Sequence, residues 1–310
     1  MPSRRRRELS LTDRFRTRNG TMRNVLQTVE KVLDRDAAIL ILGESGSGKD
    51  YLAAAIHACS ARRDLPFVHI DCPAIPADLF ESELFGYEKG TFTDAQSRKL
   101  GKLEAAHGGT VYFDDISALS PALQAKLLRA LQEKAFTRLG GHQSIPFQAR
   151  VISSSSANLQ ELLAAGQFRR DLFYRINVVT VELPPLRQRP EDIALLVAHF
   201  AGRRRKIDPD AMSLLNAHPW PGNIRELRNV IERALLVSDD GPLTPSSLRL
   251  GPSDLVAAAA RGEWTLAQLE ETYIREVLRE TRSNYSKASE ILGINRKTLL
   301  EKRRKYGIER

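Results

Sequence analysis

The chain has 310 residues, 42% of them hydrophobic, which is enough for a sizeable core and about two or three domains. No apolar run approaches the roughly 20 residues of a membrane span, and the basic start lacks the apolar segment of a secretory signal. Cys59 and Cys72 give neither a disulfide framework nor a metal-ligand spacing. We therefore expect a reduced, cytoplasmic protein that makes no contact with a membrane.

The positive charge is concentrated at the two ends of the chain. Residues 1–23 contain eight arginines and carry a net charge of +6, and residues 279–310 also carry +6. The 255 residues between them sum to −3, within a total of +9. Basic ends on a mildly acidic body predict contact with nucleic acid through the ends. Residues 1–17 are predicted to form a flexible basic arm, for which a merely solvated tail is the open alternative.

The stretch AAILILGESGSGKD, residues 37–50, predicts a nucleotide-binding turn. An apolar run typical of a buried parallel strand precedes a segment with the phosphate-binding pattern G-x-x-x-x-G-K, and a helix-compatible run follows it. Glycines let backbone N–H groups face phosphate oxygens, and the lysine adds a mobile positive charge. A glycine turn that happens to carry a lysine is disfavoured by this context. The predicted ligands are Gly43, Glu44, Ser45, Gly46, Ser47, Gly48, Lys49 and Asp50.

The first domain alternates strands and helices. Helical spacing covers residues 22–33, and a second strand, residues 66–70, precedes a helix over residues 77–85. The polar, glycine-rich stretch of residues 86–101 then interrupts what would otherwise be one helix. A loop inserted there with Phe92 near its tip is more often functional than decorative, although Phe92 packing back onto the body is an open alternative.

An acidic pair, Asp114 and Asp115, ends a third predicted strand, residues 110–113. In a P-loop protein, the first such carboxylate holds magnesium and the second polarises the attacking water. We expect Asp114 and Asp50 to bind the metal, Asp50 standing where many P-loops have a serine or threonine. Capping of the helix at Pro121 is the alternative role for the pair.

The remainder of this domain contains a β-like segment over residues 136–147, a strand over residues 150–156 with a serine-rich end, and a strand over residues 178–183. The pattern predicts a three-layer α/β domain with the nucleotide at the strand ends. After Arg189 the pattern is wholly helical to about Leu248, and residues 239–263 have the composition of a linker.

The last segment, residues 264–310, predicts an amphipathic helix and then a helix-turn-helix around Gly293. The second helix of that motif is strongly basic. A solvated charged helix is the alternative, but the glycine turn and the apolar positions favour DNA binding. The candidate DNA contacts are Asn295, Arg296, Lys297, Thr298, Lys302 and Arg303.

These motifs, in this order, resemble the AAA+ enhancer-binding transcription activators that work with sigma-54 RNA polymerase. The resemblance covers residues 18–250, and residues 265–308 resemble the factor-for-inversion-stimulation type of DNA-binding tail. The segments that carry it are GESGSGKD, ELFGYEKGTFTDA, FRRDLFYRINV, PPLRQR, WPGNIRELRNVIERAL and LGINRKTLLEKRRKYGI. It implies an α/β AAA+ domain over residues 18–188, a helical lid over residues 189–250, a linker over residues 251–263 and the helix-turn-helix over residues 264–310.

The resemblance also implies roles for single residues. Lys49 would hold the phosphates of ATP, Asp114 would hold Mg²⁺, and Arg225 would read the nucleotide state from the same chain. Arg169 and Arg175 resemble arginine fingers, which implies a ring, typically a hexamer, of one chain type or of this chain with a paralogue. In the loop GTFTDA, residues 90–95, Phe92 and Thr93 would contact the sigma factor while the protein is bound to enhancer-like upstream DNA. Because no receiver domain precedes the AAA+ segment, we expect control in trans by a regulatory protein.

Several positions depart from the family pattern. In the loop, Thr91 replaces alanine and Asp94 replaces glycine, and Asp115 replaces the usual glutamate. Asp71 and Ser156 each stand where the family commonly has asparagine. The alternative function is therefore a DNA-binding regulator that uses nucleotide only as an oligomerisation switch and does not remodel the polymerase. A third reading, an AAA+ remodeller unrelated to transcription, leaves the helix-turn-helix unexplained.

Overall fold

The computed structural model describes residues 10–92, 95–202, 205–238, 241–248, 265–281 and 284–308. The chain separates into two compact units, and Asn223–Arg225 belongs to the first unit together with the residues up to Leu196. The second unit comprises Val197–Gly222 and the residues from Glu226 onward. In the part of the chain that the structure describes, no helix is both long enough and apolar enough to cross a membrane.

The strands of the first unit form one central sheet and two short hairpins. They are β1 (Ile39–Leu42), β2 (Phe67–Asp71), β3 (Gly86–Tyr87), β4 (Lys99–Leu100), β5 (Thr110–Asp114), β6 (Ala135–Phe136), β7 (Ile145–Pro146), β8 (Arg150–Ser155) and β9 (Val179–Glu182). The central sheet has the order β2-β5-β8-β1-β9, and all its neighbouring strands are parallel. Its carboxyl ends therefore meet at one edge, where parallel α/β sheets bind their ligands.

Helices cover both faces of this sheet. They are α1 (Leu11–Arg14), α2 (Gly20–Glu30), α3 (Lys49–Cys59), α4 (Ala77–Phe85), α5 (Lys102–Ala105), α6 (Pro121–Glu133), α7 (Leu159–Ala164) and α8 (Arg170–Ile176), and α9 (Pro190–Ala201) begins in this unit. Successive strand residues point to opposite faces, so that Ile39 and Ile41 pack with α2 and α3, whereas Leu40 packs in the cluster of α4, α6 and α8. The predicted three-layer α/β fold is confirmed.

Some expectations for this unit were wrong. Leu11 is fully buried in the core beside Met22 and Leu26, so residues 10–17 are not a flexible arm, and residues 1–9 lie outside the described residues. Burying a leucine side chain stabilises the fold by roughly 1.5–3 kcal/mol, which is enough to hold this segment against the core although its composition is basic. The β-like segment of residues 136–147 is confirmed as a hairpin, but its strands, β6 and β7, have only two residues each. Ser120, not the acidic pair, caps α6.

The second unit contains the remainder of α9 and the helices that follow. Its helices are α10 (Pro209–Ala217), α11 (Asn223–Val237, of which the first three residues belong to the first unit), α12 (Pro245–Leu248), α13 (Leu266–Glu280), α14 (Tyr285–Leu292) and α15 (Arg296–Lys305). The pattern is not wholly helical, because Ile207 and Leu243 form a β-bridge. Trp220 is fully buried and donates its indole N–H to the carbonyl oxygen of Leu215 at 2.8 Å. Residues 251–263, the predicted linker, lie outside the described residues.

The helix-turn-helix has its own small core. Asparagine side chains cap both of its helices, Asn284 accepting from the N–H of Lys287 and Asn295 from that of Thr298. Gly293 provides the left-handed residue that ends α14. Apolar side chains from α13, from both helices and from the residues just after α15 pack together, namely Ile274, Val277, Leu278, Ala288, Leu299 and Ile308.

Candidate nucleotide site, loop and DNA-binding surface

The P-loop, residues 43–49, connects β1 to α3. Gly48 has a φ of +105°, a backbone conformation that L side chains rarely adopt, so glycine is needed to lead the chain into the helix. The Nζ of Lys49 donates to the carbonyl oxygens of Gly43 at 2.9 Å and Glu44 at 3.1 Å, across the loop. The Ser47 hydroxyl is buried and has no hydrogen-bond partner among the described residues. An unpartnered hydroxyl and a lysine folded back onto the loop fit a site that receives phosphate.

Carboxylates surround Lys49. Burial lowers the pKa of Lys49 below its ordinary value, and electrostatic attraction by Asp115, Asp114 and Asp50 opposes that shift. The sheet brings these groups together because Asp114 ends β5 while Asp50 lies in the first turn of α3. Lys49 therefore contributes a partly desolvated positive charge at the carboxyl edge of the sheet, where an anion would meet it.

The turn at residues 186–189 holds the P-loop from one side. The guanidinium of Arg187 donates two hydrogen bonds to the carboxylate of Glu44, at 2.8 and 2.6 Å. These bonds hold the pKa of Glu44 below its ordinary value. The buried Arg189 donates from Nη2 to the carbonyl oxygen of Ser47 at 2.7 Å. The two arginines thus fix the loop backbone in the shape that faces a ligand.

The start of α11 holds the P-loop from the other side. The fully buried Asn223 donates from Nδ2 to Glu44 Oε2 at 3.1 Å and to the carbonyl oxygen of Ser45 at 3.0 Å, and its Oδ1 accepts from the N–H of Leu186 at 2.8 Å. Asn223 has a φ of +53°, which asparagine tolerates better than most residues. Arg225 donates from Nη1 to Ser45 Oγ at 2.9 Å, and so lies at the P-loop.

The acidic pair sits in a network of hydroxyl groups. Asp115 has a φ of +51°, its Oδ1 accepts from Ser117 Oγ at 2.5 Å, and its Oδ2 accepts from Ser156 Oγ at 2.5 Å. Ser154 Oγ donates to Asp114 Oδ1 at 2.7 Å. The serine-rich end of β8 therefore reaches the same place as the acidic pair. Asp114 and Asp50 supply carboxylate oxygens, the ligand type that Mg²⁺ prefers, so the donor set fits that ion.

The two arginines resembling fingers lie on or just before α8 and have other partners. Arg169 makes a two-fold ion pair with Asp171, its Nε at 3.0 Å and its Nη2 at 2.7 Å from the carboxylate oxygens. Arg175 donates from Nη2 to the carbonyl oxygen of Leu131 at 2.7 Å. Among the described residues, no hydrogen bond or ion pair joins either arginine to the P-loop of its own chain.

The loop with the GTFTDA sequence leaves the body through the hairpin of β3 and β4. The two sides of the loop touch at its base, where a Cβ on Gly101 would lie 2.4 Å from the carbonyl carbon of Phe85. Thr91 Oγ1 lies 2.6 Å from the carbonyl oxygen of Glu88 and 3.0 Å from that of Leu139, in the turn between β6 and β7. The buried Arg138 pairs with Glu88 and Glu104 beneath this contact.

Phe92 lies near the tip of this loop and is 45% exposed. Its ring centroid is 4.8 Å from that of Tyr87, in an edge-to-face arrangement that supports the ring without covering it. Thr93, the second predicted sigma contact, and Asp94 lie outside the described residues. The structure thus places an exposed aromatic ring on a loop that is hydrogen-bonded to a second hairpin.

The basic helix α15 presents two kinds of cation. Lys302 donates to Glu270 of α13 at 2.5 Å, and Arg303 donates to the Tyr285 hydroxyl at 2.5 Å, so both hold the motif together. Arg296 and Lys297 are exposed in the first turn of α15. Asn295 and Thr298 form the helix cap described above. Arg296 and Lys297 in the first turn, like the exposed Arg304 and Lys305 in the last turn, are therefore available to a nucleic acid.

Comparison with protein families divides the chain in the same order as its motifs. Residues 15–182 match the Sigma-54 interaction domain, residues 187–258 match the AAA+ ATPase lid domain, and residues 265–306 match the bacterial regulatory proteins of the Fis family. The chain belongs to the sigma-54-dependent transcriptional activators. It joins the ATPase domain of that family to a DNA-binding helix-turn-helix.

Curated and solved relatives agree with this assignment. The activator is 44% identical to regulatory protein AtoC of Escherichia coli (strain K12), over 94% of this chain and 68% of that protein. It is 44% identical to transcriptional regulatory protein ZraR of Salmonella typhimurium (strain LT2), over 91% of this chain and 66% of that protein. The crystal structure of NtrX from Brucella abortus in complex with ATP is similar with a TM-score of 0.70 and 36% identity, over 95% of this chain and 69% of that chain. The chain spans about two thirds of the length of these relatives.

Sequence reasoning missed several residues of the activator's site. Arg187, Arg189 and Asn223 contact the P-loop although they are far from it in the sequence. Arg189 and Ser47, for example, are 142 positions apart. Arg187 and Arg189 occur in PPLRQR and Asn223 occurs in WPGNIREL, segments that carried the family resemblance without a stated contact. Tyr112, whose hydroxyl lies 2.8 Å from Asp50 Oδ1, had no sequence signal beyond its place in a strand.

Proposed function

We propose that this activator binds ATP with Mg²⁺ at the P-loop, hydrolyses it within a ring, and uses that cycle to remodel the closed complex of sigma-54 RNA polymerase. The observation that carries the proposal is the set of hydrogen bonds by which residues 186–189 and Asn223–Arg225 fix the shape of the P-loop. The acidic pair lies at the same edge of the sheet as this loop. The domain division is the one the motifs predict: residues 18–188, 189–250, 251–263 and 264–310. Because the protein would act on DNA and RNA polymerase, the proposal includes a cytoplasmic location.

Each group at the site has a chemical task in this proposal. The P-loop N–H groups, Lys49 and Arg225 bind the phosphates, and the hydroxyl of Ser47 gains the partner it lacks. Asp114 and Asp50 hold Mg²⁺, which neutralises charge on the phosphates when it is bound. Asp115 orients and polarises water, and Ser156 and Ser117 fix its carboxylate for that task.

The arginines of α8 act on a neighbouring copy. Arg169 and Arg175 have no ion pair with their own P-loop among the described residues, and Arg169 is exposed. In a ring, each protomer would supply these arginines to the nucleotide bound by the next protomer. A guanidinium there would stabilise the negative charge that develops on the transferring phosphate. The assembly is a homo-oligomer, from dimer to hexamer, or a hetero-oligomer with a paralogue.

The GTFTDA loop is the proposed contact with the sigma factor. An exposed aromatic ring on a loop is suited to binding a protein partner, because a single side chain then buries a large apolar area in the interface. Phe92 supplies this ring, and its supported but uncovered position fits that role. The connection of Thr91 to the turn of residues 137–144 couples the loop to the body of the ATPase domain.

The helix-turn-helix binds enhancer-like upstream DNA. Arg296 and Lys297, at the exposed start of α15, contact bases or phosphates, as the first turn of a recognition helix does. Asn295 and Thr298 contribute from the same turn, while Lys302 and Arg303 mainly hold the motif in shape.

The deciding experiment measures complex formation with sigma-54 and its holoenzyme in the presence of ADP and a metal-fluoride phosphate mimic. We expect a stable complex for the wild-type chain and loss of that complex for Phe92→Ala. Leu79→Ala is the matched control, because Leu79 is a similarly exposed apolar residue on α4, outside the loop. No complex with the wild-type chain, while ATP turnover and specific DNA binding persist, would contradict remodelling.

One observation favours the alternative, a DNA-binding regulator that does not remodel the polymerase. Asp115 is one methylene shorter than glutamate, and both of its carboxylate oxygens are engaged by serines. If reach limits hydrolysis, Asp115→Glu raises ATP turnover, because a longer side chain brings the carboxylate nearer to the attacking water. Unchanged or lower turnover would show that the short side chain is not the limit.

A further inference from the structure

A histidine adjoins the two proposed magnesium ligands. Asp50, His69 and Asp114 each offer one ligand atom, and these atoms all lie within 4.8 Å of one another. They come from α3, β2 and β5, so that the central sheet itself brings them together. The Nε2 of His69 is 3.8 Å from Asp114 Oδ2, and the proposed ATP chemistry does not use this histidine.

The imidazole of His69 is positioned by its neighbour in the sheet. His69 and Tyr112 are partners across the parallel ladder of β2 and β5. Their rings are stacked, with centroids 5.1 Å apart and an angle of 25° between their planes. The ring is still 44% exposed at the carboxyl edge of the sheet, so an ion from solvent reaches it.

Hydroxyl groups orient the two carboxylates toward the histidine. The Tyr112 hydroxyl lies 2.8 Å from Asp50 Oδ1 and 3.1 Å from Asp114 Oδ1, and Ser154 Oγ donates to the same Asp114 oxygen at 2.7 Å. Because these hydroxyls occupy the Oδ1 atom of each carboxylate, the Oδ2 atom of Asp114 is the one that faces His69. Carboxylates held in this way by outer hydrogen bonds are typical of metal sites, where such partners fix the ligand geometry.

We propose that Asp50, His69 and Asp114 form a three-ligand site that binds a divalent transition ion such as Mn²⁺, even without nucleotide. Mg²⁺ strongly prefers oxygen ligands, whereas a site that adds an imidazole nitrogen to two carboxylates suits transition ions. The chain therefore discriminates between metals through His69. The proposal deepens the proposed function, since it shares Asp50 and Asp114 with the magnesium site, but it does not require ATP hydrolysis.

The test is a titration of the nucleotide-free, full-length chain with Mn²⁺, in which electron paramagnetic resonance measures the free ion. We expect binding of one Mn²⁺ per chain and an affinity about tenfold or more weaker in His69→Ala, as for the loss of a metal-site partner. His107→Ala is the matched control, because His107 is an exposed histidine outside the cluster, and it should bind Mn²⁺ like the wild type.

A second readout separates a ligand from a merely structural residue. Mg²⁺ competes for the site, and His69→Ala should lower the preference for Mn²⁺ over Mg²⁺, while a general loss of structure would weaken both ions and lower the melting temperature. Equal Mn²⁺ affinity or equal preference in the wild type and His69→Ala would overturn the proposal, leaving only an ion pair between His69 and Asp114. Failure of ATP hydrolysis alone would contradict the proposed function and leave this titration unaffected.

Discussion

Replacing Asn223 by glycine tests whether this side chain holds the P-loop. Glycine accepts the φ of +53° without strain, so the change removes the buried side chain and its hydrogen bonds without straining the backbone. Three bonds disappear: those to Glu44 Oε2 and to the Ser45 carbonyl oxygen, and the one that Asn223 accepts from the N–H of Leu186. We therefore expect both stability and nucleotide affinity to fall.

The size of each effect follows from the number of bonds. At about 1 kcal/mol net for each hydrogen bond, the two bonds to the P-loop correspond to about 2 kcal/mol, or roughly a 30-fold weaker affinity for ADP. Loss of the third bond leaves the N–H of Leu186 buried without a partner. The total destabilisation of the fold is then about 3 kcal/mol or somewhat more. For a domain of this size, that lowers the melting temperature by about 6 to 12 °C.

Isothermal titration with ADP and differential scanning calorimetry measure the two effects separately. Asn158→Ala is the matched control, because Asn158 caps α7 by accepting from the N–H of Gln160, with no contact to the P-loop in the described residues. It should cost about 1 kcal/mol of stability and leave the affinity for ADP unchanged. If Asn223→Gly binds ADP and melts like the wild type, Asn223 does not hold the loop.

The remaining predictions concern other parts of the molecule. Lys49→Ala should abolish measurable ADP binding in a titration while specific DNA binding persists, and retained ADP binding would contradict its role. Thr91→Val removes one hydroxyl bond worth about 1 kcal/mol, so capture of sigma-54 should weaken about fivefold with ATP turnover unchanged. Because the pKa of Glu44 is lowered from 4.5, its contribution to stability should be complete above that pH and disappear as the pH falls further, and Glu44→Gln should flatten this dependence in thermal melts. Lys297→Ala should reduce the salt slope of DNA binding by about one, whereas Lys302→Ala should lower the melting temperature of the helix-turn-helix.

Much of the fold followed from local pattern, because the features that define it are local. An apolar run before a glycine turn and a helix, or a strand that ends in an acidic pair, is visible within about fifteen residues of sequence. The strand ends were therefore predicted to within one or two residues, as for β5, which extends to Asp114. The arm was wrong because burial of Leu11 depends on partners in α2 and the core, which composition does not reveal.

The site was only partly accessible from the sequence for the same reason. Lys49 and Asp114 belong to short sequence patterns that indicate phosphate and metal binding. Asn223 belongs to no such pattern, and its contact with the P-loop is visible only in the fold, where its Nδ2 lies 3.0 Å from the carbonyl oxygen of Ser45. The same holds for the Tyr112 hydroxyl between two carboxylates. A hydrogen bond between distant positions leaves no periodic signal in a single sequence.

The nucleotide site and the loop are joined through β2 and α4. Asp71 ends β2 in register with Asp114, and the N–H of Cys72 donates to the carbonyl oxygen of Asp114 at 3.0 Å. The chain then forms α4, whose Phe80 is buried in the core, and enters the loop directly at Gly86. A packed helix moves as a body rather than bending, so a displacement at the acidic pair would reach the loop base through α4. Asp115 follows Asp114 at the start of this connection and the GTFTDA loop follows its end, so we expect variants at the two places to have coupled effects, which a double-mutant cycle of ATP turnover and sigma-54 capture measures.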